Sequence, residues 1–146
     1  MNDDLRELLN LLKFHEVKFL VVGAHAVAFH SRPRMTEDFD VWVARSLKNS
    51  EKLARALAQF GTPIGDDGAI RFAEQDRQIV RIGVPPNMVD ILNFAGSHPF
   101  EEVYSRRIQG EMEGIELQFP CVEDLIDMKR VAGRKKDIAD IEALGG

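Results

Sequence analysis

The segment Asp38-Phe39-Asp40-Val41 places two carboxylates two residues apart in an otherwise apolar run. Side chains on a strand alternate faces with a period of two, so Asp38 and Asp40 share one face while Phe39 and Val41 share the other. Like charges that close repel one another, and a proton or a cation between them relieves the cost. Mg²⁺ (or Mn²⁺) suits such a pair, because one or two carboxylates, phosphate oxygens and water together satisfy its coordination. A third acid, Asp90, lies in the apolar run Met88-Val89-Asp90-Ile91-Leu92, where an unpaired carboxylate is expensive to bury. Two roles are open to it: the third carboxylate of a two-metal site, or the structural partner of a buried arginine.

Upstream, Val21-Val22-Gly23-Ala24 reads as the end of a strand and the start of a helix. Such a junction presents free backbone N–H groups and the positive end of a helix dipole, where phosphate oxygens bind well. Gly23 and Ala24 are small enough to let a triphosphate approach. Arg32 and Arg34, in the loop that precedes Asp38, border the expected cleft and either hold phosphate or acceptor or are solvated loop charges.

These groups need a scaffold, and the hydrophobic pattern outlines one. Leu5, Leu8, Leu9 and Leu12 repeat at helical spacing behind Asp3 and Asp4, which serve as cap and as charges that suit the dipole. Val17–Val22 reads as a buried strand, Ala24–His30 as a short helix and Asp38–Val43 as a second strand. Asn49 or Ser50 caps a helix that buries Leu53, Leu57 and Phe60 and stops at Gly61. After a turn-rich stretch from Gly61 to Gly68, the segments Ala69–Ala73, Gln78–Val84 and Met88–Phe94 are predicted as strands. Arg107–Met112 and Ile115–Phe119 form a hairpin turning at Glu113-Gly114. Two helices close the chain, Val122–Ala132 and Lys135–Leu144, broken by Gly133. Strands and helices are mixed without regular βαβ alternation, which predicts an α+β domain, a mixed sheet flanked by helices, over residues 1–146.

The segment Val22-Gly23-Ala24, thirteen residues, then Asp38-Phe39-Asp40-Val41, resembles the signature of the nucleotidyltransferase superfamily that includes DNA polymerase beta. Asp90 falls where that superfamily has its third acid. The tail Asp124-Leu125-Ile126-Asp127-Met128-Lys129, then Ala132-Gly133-Arg134-Lys135-Lys136-Asp137, resembles small bacterial members related to the AbiEii toxin-type group. The resemblance implies transfer of a nucleoside monophosphate from a nucleoside triphosphate to an acceptor hydroxyl in RNA, protein or a small molecule. It assigns Gly23 and Ala24 to the triphosphate, Asp38, Asp40 and Asp90 to metal, and Lys129 and Arg134 to basic contacts. Ala24 departs from the serine of many members, so a hydroxyl contact to phosphate is absent while the backbone N–H stays.

Composition narrows the alternatives. A net charge of −5 argues against a broad nucleic-acid footprint, and 45% apolar content suffices for one core in 146 residues. No apolar run approaches the roughly 20 residues that cross a bilayer, and the acidic start lacks the basic region of a signal peptide, which predicts a cytoplasmic protein. Cys121 is the only cysteine and reads as a buried thiol. His25 and His30 lack the spacing of a zinc pair, and Trp42 reads as packing rather than as a base platform. The rival expectations are a noncatalytic binding module, in a toxin–antitoxin or phage-defence setting, and a metal-dependent phosphodiesterase. A homodimer or partner chain is the expected source of any wall that the acceptor needs.

Overall fold

The structure is a computed structural model that describes residues 1–31 and 38–146. Asn2 caps the first helix, α1 (Asp3–Phe14), its side-chain oxygen accepting from the Leu5 N–H at 2.7 Å. Asp3 and Asp4 occupy the first turn rather than the cap, where their charges meet the positive end of the dipole. Strand β1 (Phe19–Val22), buried throughout, runs directly into helix α2 (Gly23–His30), and strand β2 (Phe39–Val43) follows.

Ser46, not Asn49 or Ser50, caps helix α3 (Leu47–Phe60), accepting from the Asn49 N–H at 3.2 Å. Asn49 instead uses its amide to tie Lys18 to Ala44, donating to both carbonyls and accepting from the Lys18 N–H. Gly61 ends the helix in the left-handed conformation, as its position predicted.

The segment 69–73 is helical, not a strand. Helix α4 (Gly65–Glu74) runs through it, burying Ala69 and Phe72 at helical spacing, with Asp66 and Asp67 in its first turn. The two acids and two glycines that resemble a turn are the helix start, and the short apolar run Ala69-Ile70-Arg71-Phe72-Ala73 satisfies a helical period as well as a strand.

Strands β3 (Ile79–Ile82) and β4 (Val89–Leu92) come next, then the short helix α5 (Phe100–Ser105). The hairpin β5 (Ile108–Met112) and β6 (Ile115–Phe119) forms a separate two-stranded sheet, turning at Glu113 and Gly114. Helices α6 (Val122–Ala132) and α7 (Lys135–Ala143) close the chain, with Gly133 in the left-handed conformation between them.

The main sheet has the order β1-β2-β4-β3, with β2 and β4 parallel and both outer pairs antiparallel. Its register sorts the side chains. Phe39, Val41 and Ile91 share one face and are all but fully buried. On that side Ile82 and Val89 border a cavity of about 620 Å³ with Leu5, Leu8 and Phe60, so α1 and α3 lie against it. The other face carries Leu20, Trp42 and Leu92 and, one step along each strand, the polar residues of the site. Trp42 packs edge-on against Phe100 at 5.1 Å between ring centres, in keeping with its reading as core. The fold is therefore the mixed α+β arrangement that the sequence predicted, with the 69–73 strand replaced by a helix. No helix among the described residues is long and apolar enough to cross a membrane.

Candidate nucleotide and metal site

Strand register, not sequence proximity, assembles the site. Val22 pairs with Asp40, Asp40 with Asp90, and Asp90 with Arg81, so one residue from each of four strands forms a row across the sheet. Neighbouring strands stand about 4.8 Å apart, which brings the side chains of each pair into direct electrostatic contact. Asp38 lies one residue before β2, beside the same row.

Among the described residues, acids outweigh cations around Asp40. Burial pushes the Asp40 carboxyl up to about 6, and the neighbouring charges of Asp90 and Asp38 push the same way, against weaker opposition from Lys129 and Lys136. A carboxylate so placed gains from any cation that arrives.

Gly23 fixes the other wall. Its φ of +71° favours glycine, and a methyl group there would run into Asp40 Oδ2. The glycine of the predicted phosphate cradle is thus also what lets the Asp40 carboxylate lie against the start of α2. No side chain caps that helix start, which Val22 enters from extended backbone. The N–H groups of its first turn, Gly23 and Ala24 among them, therefore lie next to Asp40 with no side-chain cap competing for them.

Asp90 is held differently. Arg81 donates from Nε to Oδ1 at 2.8 Å and from Nη2 to Oδ2 at 3.2 Å, a two-pronged pair. Arg81 is 58% exposed and Asp90 only 16%. Hydrogen bonding and the charge of Asp90 raise the guanidinium pKa above its ordinary value. Both open roles for Asp90 thus find an element here: an arginine does pair with it, but an exposed one, and the carboxylate remains in the acid row.

Lys129 and Arg134 belong to a second cluster, between α6 and α7. Lys129 is buried, its Nζ 3.3 Å from Asp137 Oδ1 and 2.9 Å from Asp140 Oδ2. Arg134 donates to Asp137 from its backbone N–H and its guanidinium, at 2.9 and 2.8 Å, as part of the N-terminal cap of α7. Burial pushes the Asp137 carboxyl up, but hydrogen bonds from Arg134 and the charge of Lys129 outweigh it and bring it down to about 2. The cluster still reaches the acid row: Lys129 and Lys136 act on Asp40, and Asp40 acts on Arg134.

Arg32 and Arg34 lie outside the described residues. His30 Nε2 shares a hydrogen bond with the Pro120 carbonyl at 2.7 Å, and His25 packs on Phe39 at 4.6 Å, so both sit in structural contacts. Cys121 Sγ lies 3.2 Å from Asp124, and burial raises the thiol pKa, which keeps it in the protonated form.

Arg81, Asp137 and Asp140 escaped the sequence reading. Arg81 had a signal: it and Asp90 are nearly equidistant from the Pro85-Pro86 turn, the position of facing residues in a hairpin. Asp137 and Asp140 follow Lys129 by 8 and 11 residues across the Gly133 break, and only the angle between α6 and α7 brings them together.

As a metal site, the row offers hard oxygen donors of the type Mg²⁺ prefers, though among the described residues no three His, Cys, Asp or Glu converge into a group that could hold a metal ion. Carboxylates beside an uncapped helix start fit a metal that shares its coordination with phosphate rather than one caged by protein.

The model of the family described as "Nucleotidyltransferase of unknown function (DUF6036)" matches residues 3–145. No curated protein matches the sequence. Among solved structures, the lincosamide antibiotic adenylyltransferase LnuA, lincomycin-bound, is similar over 100% of this chain and 97% of its own, at 12% identity and a TM-score of 0.59. The antibiotic-resistance factor ANT(2'')-Ia is similar over 97% of this chain and 80% of its own, at 11% identity and a TM-score of 0.61. An antigenic nucleotidyltransferase-like protein from Paracoccidioides brasiliensis is similar over 94% of this chain and 71% of its own, at 14% identity and a TM-score of 0.54. At such identities the likeness is one of fold.

Proposed function

The chain belongs to the DUF6036 family of nucleotidyltransferases, and on that premise we propose that it moves a nucleoside monophosphate from a nucleoside triphosphate to an acceptor hydroxyl, with divalent metal. The observation that carries this is the contact between the two halves of the site: Gly23, at the uncapped start of α2, lies so close to Asp40 that only glycine fits between them. A triphosphate on those N–H groups is within reach of the carboxylates.

In this mechanism the Gly23 and Ala24 N–H groups hold the terminal phosphates and orient the α-phosphorus. Asp38 and Asp40 would hold a cation shared with the triphosphate, and Asp90 with Asp40 a second one on the acceptor side. Bound there, such cations would supply charge neutralisation for phosphate and a more acidic acceptor hydroxyl. The acceptor oxygen then bonds to the α-phosphorus as the bond to the pyrophosphate oxygen breaks, the hydroxyl proton passes to solvent, and pyrophosphate leaves. Lys136, Lys129 and Arg134 supply positive potential behind Asp40.

A small hydroxylated molecule is the acceptor class we carry forward, because antibiotic adenylyltransferases share the fold over nearly the whole chain. RNA, in line with the toxin-type resemblance, is the other arm of the test. Thermal unfolding of wild type, Asp38→Ala and Asp40→Ala is followed with ATP, GTP, CTP and UTP, with and without Mg²⁺. A nucleotide at a hundred times its Kd stabilises the wild type by about 2.7 kcal/mol. The stabilisation requires Mg²⁺ and disappears in both variants; equal stabilisation of all three proteins would sink the proposal. Pyrophosphate release with hydroxylated small molecules or RNA then identifies the acceptor.

A further inference from the structure

We propose that Arg81 is a resident counter-cation for Asp90, one that occupies this carboxylate until a divalent cation displaces it and so sets how readily the acceptor side of the site takes metal. The inference rests on the assignment of Asp90 to metal under the proposed function. Arg81 engages both Asp90 oxygens, so an ion that binds Asp90 must compete with two charge-assisted hydrogen bonds. Asp40, by contrast, has no such two-pronged ion pair among the described residues.

Geometry lets the arginine yield. It stands on β3, the edge strand of the sheet, with 58% of its side chain exposed, while Asp90 lies deeper. The guanidinium can therefore swing into water without disturbing the strand or uncovering a core. Because arginine stays charged at any pH the protein tolerates, its competition depends on metal concentration and not on proton uptake by Arg81. The Asp90 side then takes a cation only as Arg81 leaves.

Binding of Mn²⁺ to the full chain, alone and with α,β-methylene-ATP, tests this by calorimetry and by electron paramagnetic resonance of free Mn²⁺. Arg81→Gln tightens the weaker Mn²⁺ site by a factor of roughly 2–5 and leaves the tighter one unchanged, a magnitude set by loss of one exposed ion pair. Arg81→Lys, which keeps the charge but not the two-pronged bond, falls between the two. Asp90→Asn loses the weaker site. Unchanged or weaker Mn²⁺ binding in Arg81→Gln, with Asp90→Asn still losing the site, overturns the role of Arg81 and leaves the proposed function standing. Identical Mn²⁺ binding by Asp90→Asn and wild type removes Asp90 from the metal site, and this proposal with it. Urea unfolding of each variant shows that the comparison is made on folded protein.

Discussion

Two clusters built from the same residue types lie side by side in this molecule and are balanced in opposite directions. At the end of the sheet Asp40 sits among acids and its carboxyl is driven up to about 6. Between α6 and α7 burial alone would drive Asp137 up too, yet Arg134 and Lys129 surround it with donors and its carboxyl falls to about 2. One cluster is balanced and behaves as structure; in the other, acids outweigh cations among the described residues, the imbalance that the proposed function would fill with metal. Burial does not account for the difference, since Asp137 is the more buried of the two and yet has the lower pKa. Local charge balance does.

The sharpest way to break the contrast is to remove a cation from the balanced cluster. Lys129→Met leaves Asp137 and Asp140 buried without their shared partner and costs about 3–5 kcal/mol, measured by urea unfolding. Adding Asp137→Asn and Asp140→Asn recovers part of the loss. A cost below about 1 kcal/mol would mean that the cluster is solvated and the contrast overdrawn.

Gly23→Ala comes next. The added methyl meets the Asp40 carboxylate, at a backbone angle that disfavours any side chain, and the loss is about 1–3 kcal/mol. Asp40→Ala in the same chain relieves the clash but not the backbone strain, so the two changes are non-additive in a double-mutant cycle. Additivity would show that Gly23 and Asp40 are not in contact.

Removing charge from the acid-rich cluster has the opposite sign. A carboxyl whose folded pKa lies near 6, above its ordinary 3.8, favours folding most below pH 3.8 and loses that contribution as pH rises through 6. Asp40→Asn therefore stabilises the protein at pH 7.5 by roughly 1–2 kcal/mol, and the advantage fades as pH falls from 6 to 4. Asp137 runs the other way: its contribution is present above pH 3.8 and is lost as pH falls toward 2. Unfolding curves for wild type and Asp40→Asn at pH 7.5, 5.5 and 4.0 separate the two groups.

Under the proposed function the same carboxyl governs metal affinity. Mg²⁺ must find Asp40 ionised, so its affinity in the presence of nucleotide drops about tenfold for each pH unit below 6, read by titration calorimetry. Flat affinity between pH 5 and 7 would remove Asp40 from the metal site. The smallest effect belongs to Lys136→Gln, which raises the pH midpoint of that profile by a few tenths of a unit, roughly 0.3, because Lys136 is solvent-exposed and screened.

Much of this was legible beforehand. The alternation at Asp38-Phe39-Asp40-Val41 places the acids on one face wherever the strand goes, and Gly23 lies at the strand-to-helix junction that the residues predict. The hairpin turning at Glu113-Gly114 and the helix break at Gly133 also lie where the residues put them. Ala69–Ala73 was misassigned because five residues of mixed apolar pattern fit both periods, and its neighbour Asp66-Asp67 reads as a turn until it is seen as the start of a helix.

What the chain determined unaided is local: which residues are acids, which face they share, where helices begin and where glycine permits a left-handed turn. Such features depend on backbone geometry over a few residues, and the sequence encodes that geometry directly. What only the tertiary structure decided is the partner of each charge. Asp40 meets Asp90 through the parallel pairing of β2 and β4, Asp90 meets Arg81 through the antiparallel edge, and Lys129 meets Asp137 and Asp140 through the packing of α7 on α6. Electrostatic energy depends on distance in space, and distance in space is a property of the folded chain, so identical aspartates end up crowded among acids in the sheet and riveted to cations between two helices.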